Sequence, residues 1–174
     1  KRSDYTVIGC DRLDAMAFTQ RGQRLRSRGI MEQDEWPNGQ PDLAGAERYA
    51  LARLERELPA ALVYHSLTHT RDDVVPAAER LALRAGLPGE ALALLRTAAL
   101  FHDLGFVERR SEHEAAGAQI AATVLPGLGY QPEQIGAIVG MIMATRLPQS
   151  PRTPLEQLLA DADLDVLGRP DFLE

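Results

Sequence analysis

From residue 42 onward, apolar residues recur every three or four positions, the pattern that the buried face of an α-helix produces. Six helices are predicted on this basis, over residues 46–58, 61–85, 88–103, 111–126, 132–145 and 153–167. Pro76 is expected to kink the second helix, and Gly86 is expected to end it. Because short loops join the helices, the sequence predicts a single all-α bundle.

Two of the predicted helices begin with the same capping signal. Ser111 and Thr153 are each followed three residues later by a glutamate. In this arrangement the hydroxyl and the carboxylate each accept a hydrogen bond from the other residue's backbone amide. Thr153 is also followed by Pro154, and proline is favoured at the first helical position. Both residues are therefore predicted to be N-caps.

Residues 1–41 lack this periodicity, so they are predicted to form an irregular segment that precedes a folded domain over residues 42–174. Four arginines at positions 21, 24, 26 and 28 indicate a solvated face more often than a phosphate-binding arm. The string DYTVIG at residues 4–9 resembles a segment of class III nucleotide cyclases. The Asn and Arg that follow it in those enzymes do not occur at that spacing here.

Composition and charge exclude several classes of protein. The chain has 174 residues, 5% aromatic residues and a net charge of −6, which argues against stable nucleic-acid binding. A single cysteine, Cys10, excludes an internal disulfide framework and fits a reducing, cytoplasmic location. No apolar run approaches the roughly 20 residues of a membrane span, so no membrane partner is expected. The sequence does not indicate an oligomeric state.

The third predicted helix ends in two polar side chains, His102 and Asp103. They follow an apolar run over residues 92–100, and helical spacing places them on its buried face. A buried charge is costly unless it is paired. A divalent cation would pair with both groups, since imidazole and carboxylate suit first-row metals; a hydrogen-bonded core histidine is the alternative. Gly105 is expected to take the left-handed conformation that ends a helix.

Other residues of the metal-ligand type lie on two further predicted helices. His65 and His69 are four residues apart, so they share a face if that stretch is helical. Asp163 interrupts the apolar stripe of the last helix, and a carboxylate on such a stripe is informative because charged residues are rarely buried alone. Asp161 and Asp165 fall on a different face, where they are expected to be exposed or to lie around the ligands.

The order of these residues resembles the H…HD…D signature of the HD superfamily of metal-dependent phosphohydrolases. The resemblance covers about residues 44–170 and includes the strings YHSLTHTRDDVV, AALFHDLGF, EHEAAGAQIA and LADADLDVLGR. It implies an HD-like helical bundle with His69, His102, Asp103 and Asp163 as metal ligands. The implied cofactor is one divalent metal ion, which could be Mn, Fe, Co, Ni, Zn or Mg.

The chain departs from the superfamily pattern at two positions. Phe106 stands where many members have a lysine, or near which they have a catalytic glutamate. Glu108, Glu112 and His113 are the nearest replacements, although residues in such positions are more often plain surface or capping residues. Glu108 and His113, with Asp103, are the candidate catalytic residues. His113 matches an extra histidine of dinuclear members. Thr145 stands where the next such histidine is expected, so a mononuclear site is predicted.

The ligand set predicts the chemistry. Two imidazoles and two carboxylates leave positions on a six-coordinate ion for water and a phosphate oxygen. The candidate phosphate-binding side chains are Arg71, Arg96, Arg109, Arg110 and Arg146, and of these Arg71 and Arg146 are preferred. The sequence therefore predicts metal-dependent hydrolysis of a small-molecule phosphoester, such as a nucleotide. The alternative is a regulatory HD module that senses a nucleotide and hydrolyses little.

Overall fold

The structure is a computed structural model that describes residues 40–168, all within the second of the two units, Glu35–Glu174, into which the chain divides. The expectations for residues 1–39, including the cyclase-like string, lie outside the described residues. Residues 40–168 contain six α-helices and no strand, which confirms the all-α prediction. The helices are α1 (Leu43–Glu57), α2 (Val75–Ala85), α3 (Gly89–Phe101), α4 (His113–Val124), α5 (Pro132–Ala144) and α6 (Pro154–Leu164).

Helix α3 is the centre of the bundle and contacts each of the other five helices. Its last ten residues are almost all apolar, and a helix that is apolar on every side is stable only when it is surrounded. Leu95, Ala98, Ala99 and Phe101 are completely buried. The carboxyl end of α3 consequently lies in the protein interior, where the two residues that follow it are also enclosed.

The predicted cap at Thr153 is confirmed. The Thr153 hydroxyl accepts a hydrogen bond from the Glu156 amide at 3.2 Å, and the Glu156 carboxylate accepts one from the Thr153 amide at 3.3 Å. The prediction of an N-cap at Ser111 is wrong. Helix α4 begins at His113, and Glu112 before it has a φ of +55°. This left-handed residue breaks the helical path, so Ser111 lies outside the helix.

The prediction of one helix over residues 61–85 is wrong in its first half. Residues 61–66 are not helical. A π-helix, His69–Val74, leads into α2, and the Val75 amide donates to the carbonyl of Thr70, five residues earlier. Pro76 lies in the first turn of α2, directly after the π-helix, where the hydrogen-bonding pattern changes; the kink expected there stays a prediction. Gly86 ends α2 with a φ of +66°, as predicted.

The prediction for Gly105 is also wrong. Gly105 lies in a 3₁₀ turn, Leu104–Val107, and among residues 40–168 only Gly86 and Gly129 are glycines with positive φ. Gly105 is needed instead for space, because its backbone packs directly on α4. A Cβ atom at this position would overlap the His113 carbonyl oxygen and lie 2.6 Å from the Gly117 amide nitrogen. This contact fixes the turn after α3 against the start of α4.

Candidate metal centre and cleft

Three elements bring the four predicted ligands together. His69 belongs to the π-helix, His102 and Asp103 follow α3, and Asp163 lies in the last turn of α6. His69 Nε2 lies 3.3 Å from Asp163 Oδ1 and 3.9 Å from Asp103 Oδ2. His102 Nε2 lies 3.4 Å from Asp103 Oδ2 and 3.5 Å from Asp163 Oδ1. Metal–ligand bonds of about 2.1 Å separate neighbouring ligand atoms by roughly 3.0–3.4 Å, so these spacings fit a cation-sized centre.

The orientation of His102 supports the same assignment. Its Nδ1–H donates to the Ala99 carbonyl oxygen at 2.7 Å, which directs the Nε2 lone pair towards the two carboxylates. His102 is 1% exposed, and its Nε2 has no hydrogen-bond partner within residues 40–168. A buried lone pair that faces two carboxylates is unfavourable unless a positive charge lies between them. The donor set therefore fits a divalent metal ion.

His69 has a carboxylate behind its imidazole ring. While Nε2 faces the cluster, Nδ1 lies 3.9 Å from the Asp73 carboxylate, one turn along the π-helix. This distance is longer than a hydrogen bond, and Nδ1 has no hydrogen-bond partner within residues 40–168. Asp73 therefore places negative charge behind His69 but does not fix the direction of the ring by a hydrogen bond.

The cluster keeps its carboxylates ionised. Burial alone would raise the pKa of Asp103, but His102 and His65 outweigh it and hold that pKa well below its usual range. The pKa of Asp163 is likewise lowered, because His102 and His69 outweigh the effect of burial. Burial lowers the pKa of His102, but the two carboxylates more than reverse this effect and raise it, so they favour a positive charge at Nε2, supplied either by a proton or by a metal ion in its place. Ionised carboxylates are the form in which aspartate binds a metal.

Two further imidazoles flank Asp103, one at each oxygen. His65 Nδ1 lies 2.9 Å from Oδ2, and His113 Nε2 lies 3.7 Å from Oδ1. The Phe106 ring packs against both imidazoles, whose centroids are 5.8 Å apart. It stacks on His113 at 3.8 Å between ring centroids and packs on His65 at 4.5 Å. Phe106 thus contributes no polar group to the site but fixes the positions of two that do.

His65 is the site residue that the sequence analysis did not assign. His65, His69 and Asp103 have ligand atoms within 4.8 Å of one another, as do His69, His102 and Asp163. The two groups share His69, and the predicted ligands are divided between them. The four-residue spacing between His65 and His69 suggested that both face the site, but it assumed that a helix joins them. In the structure His65 lies in a non-helical segment, and this segment brings its side chain to Asp103.

A cleft of about 530 Å³ opens onto this cluster. Asp103, Asp163, His65 and His113 line it together with Glu112 and Glu114, and Arg110 and Arg146 contribute positive charge. Thr145 also lines the cleft, but its hydroxyl donates to the Ile142 carbonyl oxygen at 2.8 Å. Thr145, the position at which dinuclear members are expected to have a further metal-binding histidine, therefore faces the cleft, but its hydroxyl is already hydrogen-bonded to the backbone.

Other candidate residues do not line the cleft. Glu108 is exposed, and Arg71 is exposed and forms two hydrogen bonds with the neighbouring Asp72. Asp161 is exposed and accepts a hydrogen bond from Gln157. Asp165, which was expected to be exposed or to lie around the ligands, is half-buried, and Arg80 of α2 donates to its carboxylate at 2.8 Å.

The fold and the site define a class of protein, an all-α bundle with a buried histidine–aspartate centre of the kind that holds a metal. The HD domain family matches residues 67–165, a span that contains all four predicted ligands. The chain belongs to the HD domain family, which is a family of metal-dependent hydrolases. The sequence prediction of this family is confirmed.

Comparison with solved structures supports the fold. The chain is similar to the crystal structure of a predicted HD superfamily hydrolase from an uncultured Thermotogales bacterium, with a TM-score of 0.61 and 24% sequence identity. The similarity covers 72% of this chain and 69% of that chain. A search of curated proteins finds no match. None of the helices within residues 40–168 has the length and apolar character needed to cross a bilayer.

Proposed function

We propose that this protein is a metal-dependent phosphohydrolase that cleaves a small-molecule phosphoester, with nucleotides as the substrate class. The observation that carries the proposal is the His102 Nε2 atom, which is buried, has no hydrogen-bond partner within residues 40–168 and is directed at two carboxylates beside an open cleft. His69, His102, Asp103 and Asp163 would hold one divalent ion. When bound, such an ion lowers the pKa of a water ligand and neutralises charge that develops on the phosphoryl group.

The residues of the cleft supply binding and orientation. Arg110 and Arg146 line it together with the aspartates, and a guanidinium can bind two phosphate oxygens at once. Arg146 is more than half exposed, and its nearest acidic partner, Glu112, is 3.9 Å away. An exposed ion pair of this length contributes little stability, so Arg146 can exchange Glu112 for a phosphate group at little cost.

His65 is placed to give a proton to the leaving oxygen. Its Nδ1 is bonded to Asp103, which leaves Nε2 as the nitrogen that can contact a substrate in the cleft. His113 is less available, because its Nε2 lies 3.7 Å from Asp103 and its Nδ1 lies 3.6 Å from Glu114. Glu108 lies outside the cleft. His65 is therefore the proton donor that we assign.

His65→Asn tests this role. We expect kcat to fall by about 10²- to 10⁴-fold, the usual effect of removing a general acid, while metal content stays near one ion per chain. Steady-state kinetics and elemental analysis of the same preparation measure both quantities. Loss of the metal together with activity would make His65 a ligand instead. An unchanged kcat would move the proton donor to His113.

Metal removal tests the proposed function itself. Chelation should abolish hydrolysis, and readdition of Mn²⁺, Fe²⁺, Co²⁺, Ni²⁺, Zn²⁺ or Mg²⁺, one at a time, should restore it with at least one ion. The substrate panel contains nucleoside mono-, di- and triphosphates, cyclic nucleotides and phenyl phosphate. If no ion restores hydrolysis of any of these compounds, the protein is better described as a nucleotide-sensing HD module, and binding of the same panel would then be measured by calorimetry.

A further inference from the structure

Exposed apolar side chains are concentrated at the cleft. Within residues 40–168 the exposed large hydrophobic residues are Val63, Leu83, Leu147, Leu164 and Leu167. Leu147, Leu164 and Leu167 all line the cleft, and we refer to these three as the leucine rim. They are 73%, 39% and 48% exposed. Single exposed leucines need no explanation, but several that converge on one concave surface indicate a binding site.

The leucine rim is continuous with the polar part of the cleft. Leu164 directly follows the ligand candidate Asp163, and Leu147 directly follows Arg146. The cleft volume of about 530 Å³ lies within the range of small-molecule pockets and is far larger than a phosphate group requires. A ligand whose phosphate lies at the aspartates and arginines would therefore place the rest of its structure beside the leucine rim.

We propose that the leucine rim binds the organic group of the substrate and selects phosphoesters that carry a planar apolar group, such as a nucleobase or an aryl ring. The proposal rests on the proposed function for the position of the phosphate. Leucine side chains contact the faces of a ring but form no hydrogen bonds with its edges. A sugar or polyol phosphate would lose hydration of its hydroxyl groups against the rim without gaining partners. The enzyme should thus accept different nucleobases with similar KM values.

The double variant Leu147→Ser/Leu167→Ser provides the kinetic test, with AMP, phenyl phosphate and methyl phosphate as substrates of the metal-loaded protein. KM for AMP and phenyl phosphate should rise about 10-fold, the effect expected when apolar contact area is lost. KM for methyl phosphate should not change. Leu83→Ser is the matched control, because Leu83 is 72% exposed but lies outside the cleft.

A binding measurement separates failure of this proposal from failure of the proposed function. Calorimetric titration of the metal-free protein with adenosine, which has no phosphate, should show weaker binding to the double variant than to the wild type or Leu83→Ser. If adenosine binding weakens in this way but the metal-loaded protein hydrolyses none of the substrates, the proposal for the leucine rim is supported and the proposed hydrolase activity is wrong. If the protein hydrolyses AMP and the double variant has the wild-type KM for it, the hydrolase activity is supported and the proposal for the leucine rim is wrong. An unchanged KM with a smaller particle in size-exclusion chromatography would assign the rim to contact with a second copy, which also overturns the proposal.

Discussion

Asp163→Ala should remove both the metal and the activity. Asp163 Oδ1 lies within 3.5 Å of the Nε2 atoms of His69 and His102, so its removal takes away the oxygen that both imidazoles face. Metal content measured by elemental analysis should fall from about one ion per chain to none, and turnover should fall to that of the chelated wild type. Added metal should raise the melting temperature of the wild type but not of the variant, because only a bound ligand stabilises the folded state.

Asp161→Ala is the control for this prediction. Asp161 is two residues away on the same helix, but it is exposed, and its carboxylate accepts a hydrogen bond from Gln157 of that helix. It is a better control than Asp165, whose carboxylate joins α6 to Arg80. The control should keep its metal, its activity and its metal-dependent melting temperature. If Asp163→Ala also keeps one tightly bound ion, the centre is held by the His65, His69 and Asp103 group instead.

Gly105→Ala should destabilise the protein more than other small changes near the site. A Cβ atom would overlap the His113 carbonyl oxygen, and backbone cannot move aside as a flexible side chain can. Overpacking of this kind costs about 3 kcal/mol, which should lower the melting temperature by roughly 10 °C. Metal affinity should also fall, because the turn that carries Gly105 directly follows Asp103. Thermal denaturation and metal titration measure the two effects.

Gly136→Ala provides the opposite result in the same protein. Gly136 is exposed in the middle of α5, and a Cβ atom there would meet nothing within 4 Å. Because alanine favours a helix by about 0.5–1 kcal/mol over glycine, this variant should be slightly more stable than the wild type. A Gly105→Ala protein that melts at the wild-type temperature would show that α4 can move away from the turn.

The sequence contained enough information to predict the helices that carry the centre. Helical spacing placed His102 and Asp103 at the buried end of an apolar helix and Asp163 on an apolar stripe, and the structure has both features. These predictions succeeded because burial of an amphipathic face depends on local periodicity alone. The family resemblance supplied the order in which the elements meet.

The remaining features depend on contacts between segments that are distant in the sequence. Apolar spacing cannot distinguish a π-helix from an α-helix, so the π-helix was not predicted. Apolar residues also continue through residues 61–66, which were therefore assigned to a helix that begins only at Leu67. Gly105 was interpreted as a helix end, because the sequence alone does not show that its backbone packs against α4. Arg71 and Arg110 are equally basic in the sequence, but only Arg110 lines the cleft.

The two oxygens of Asp103 have different surroundings. Oδ2 faces His65, His69 and His102, and Oδ1 faces His113, on whose ring Phe106 stacks. Because the 2.9 Å contact with His65 is made by Oδ2, rotation of the carboxylate would break it, and this contact favours the orientation in which Oδ2 is directed at the centre. An apolar side chain beside the site thus influences a ligand indirectly, through the two imidazoles on which it packs.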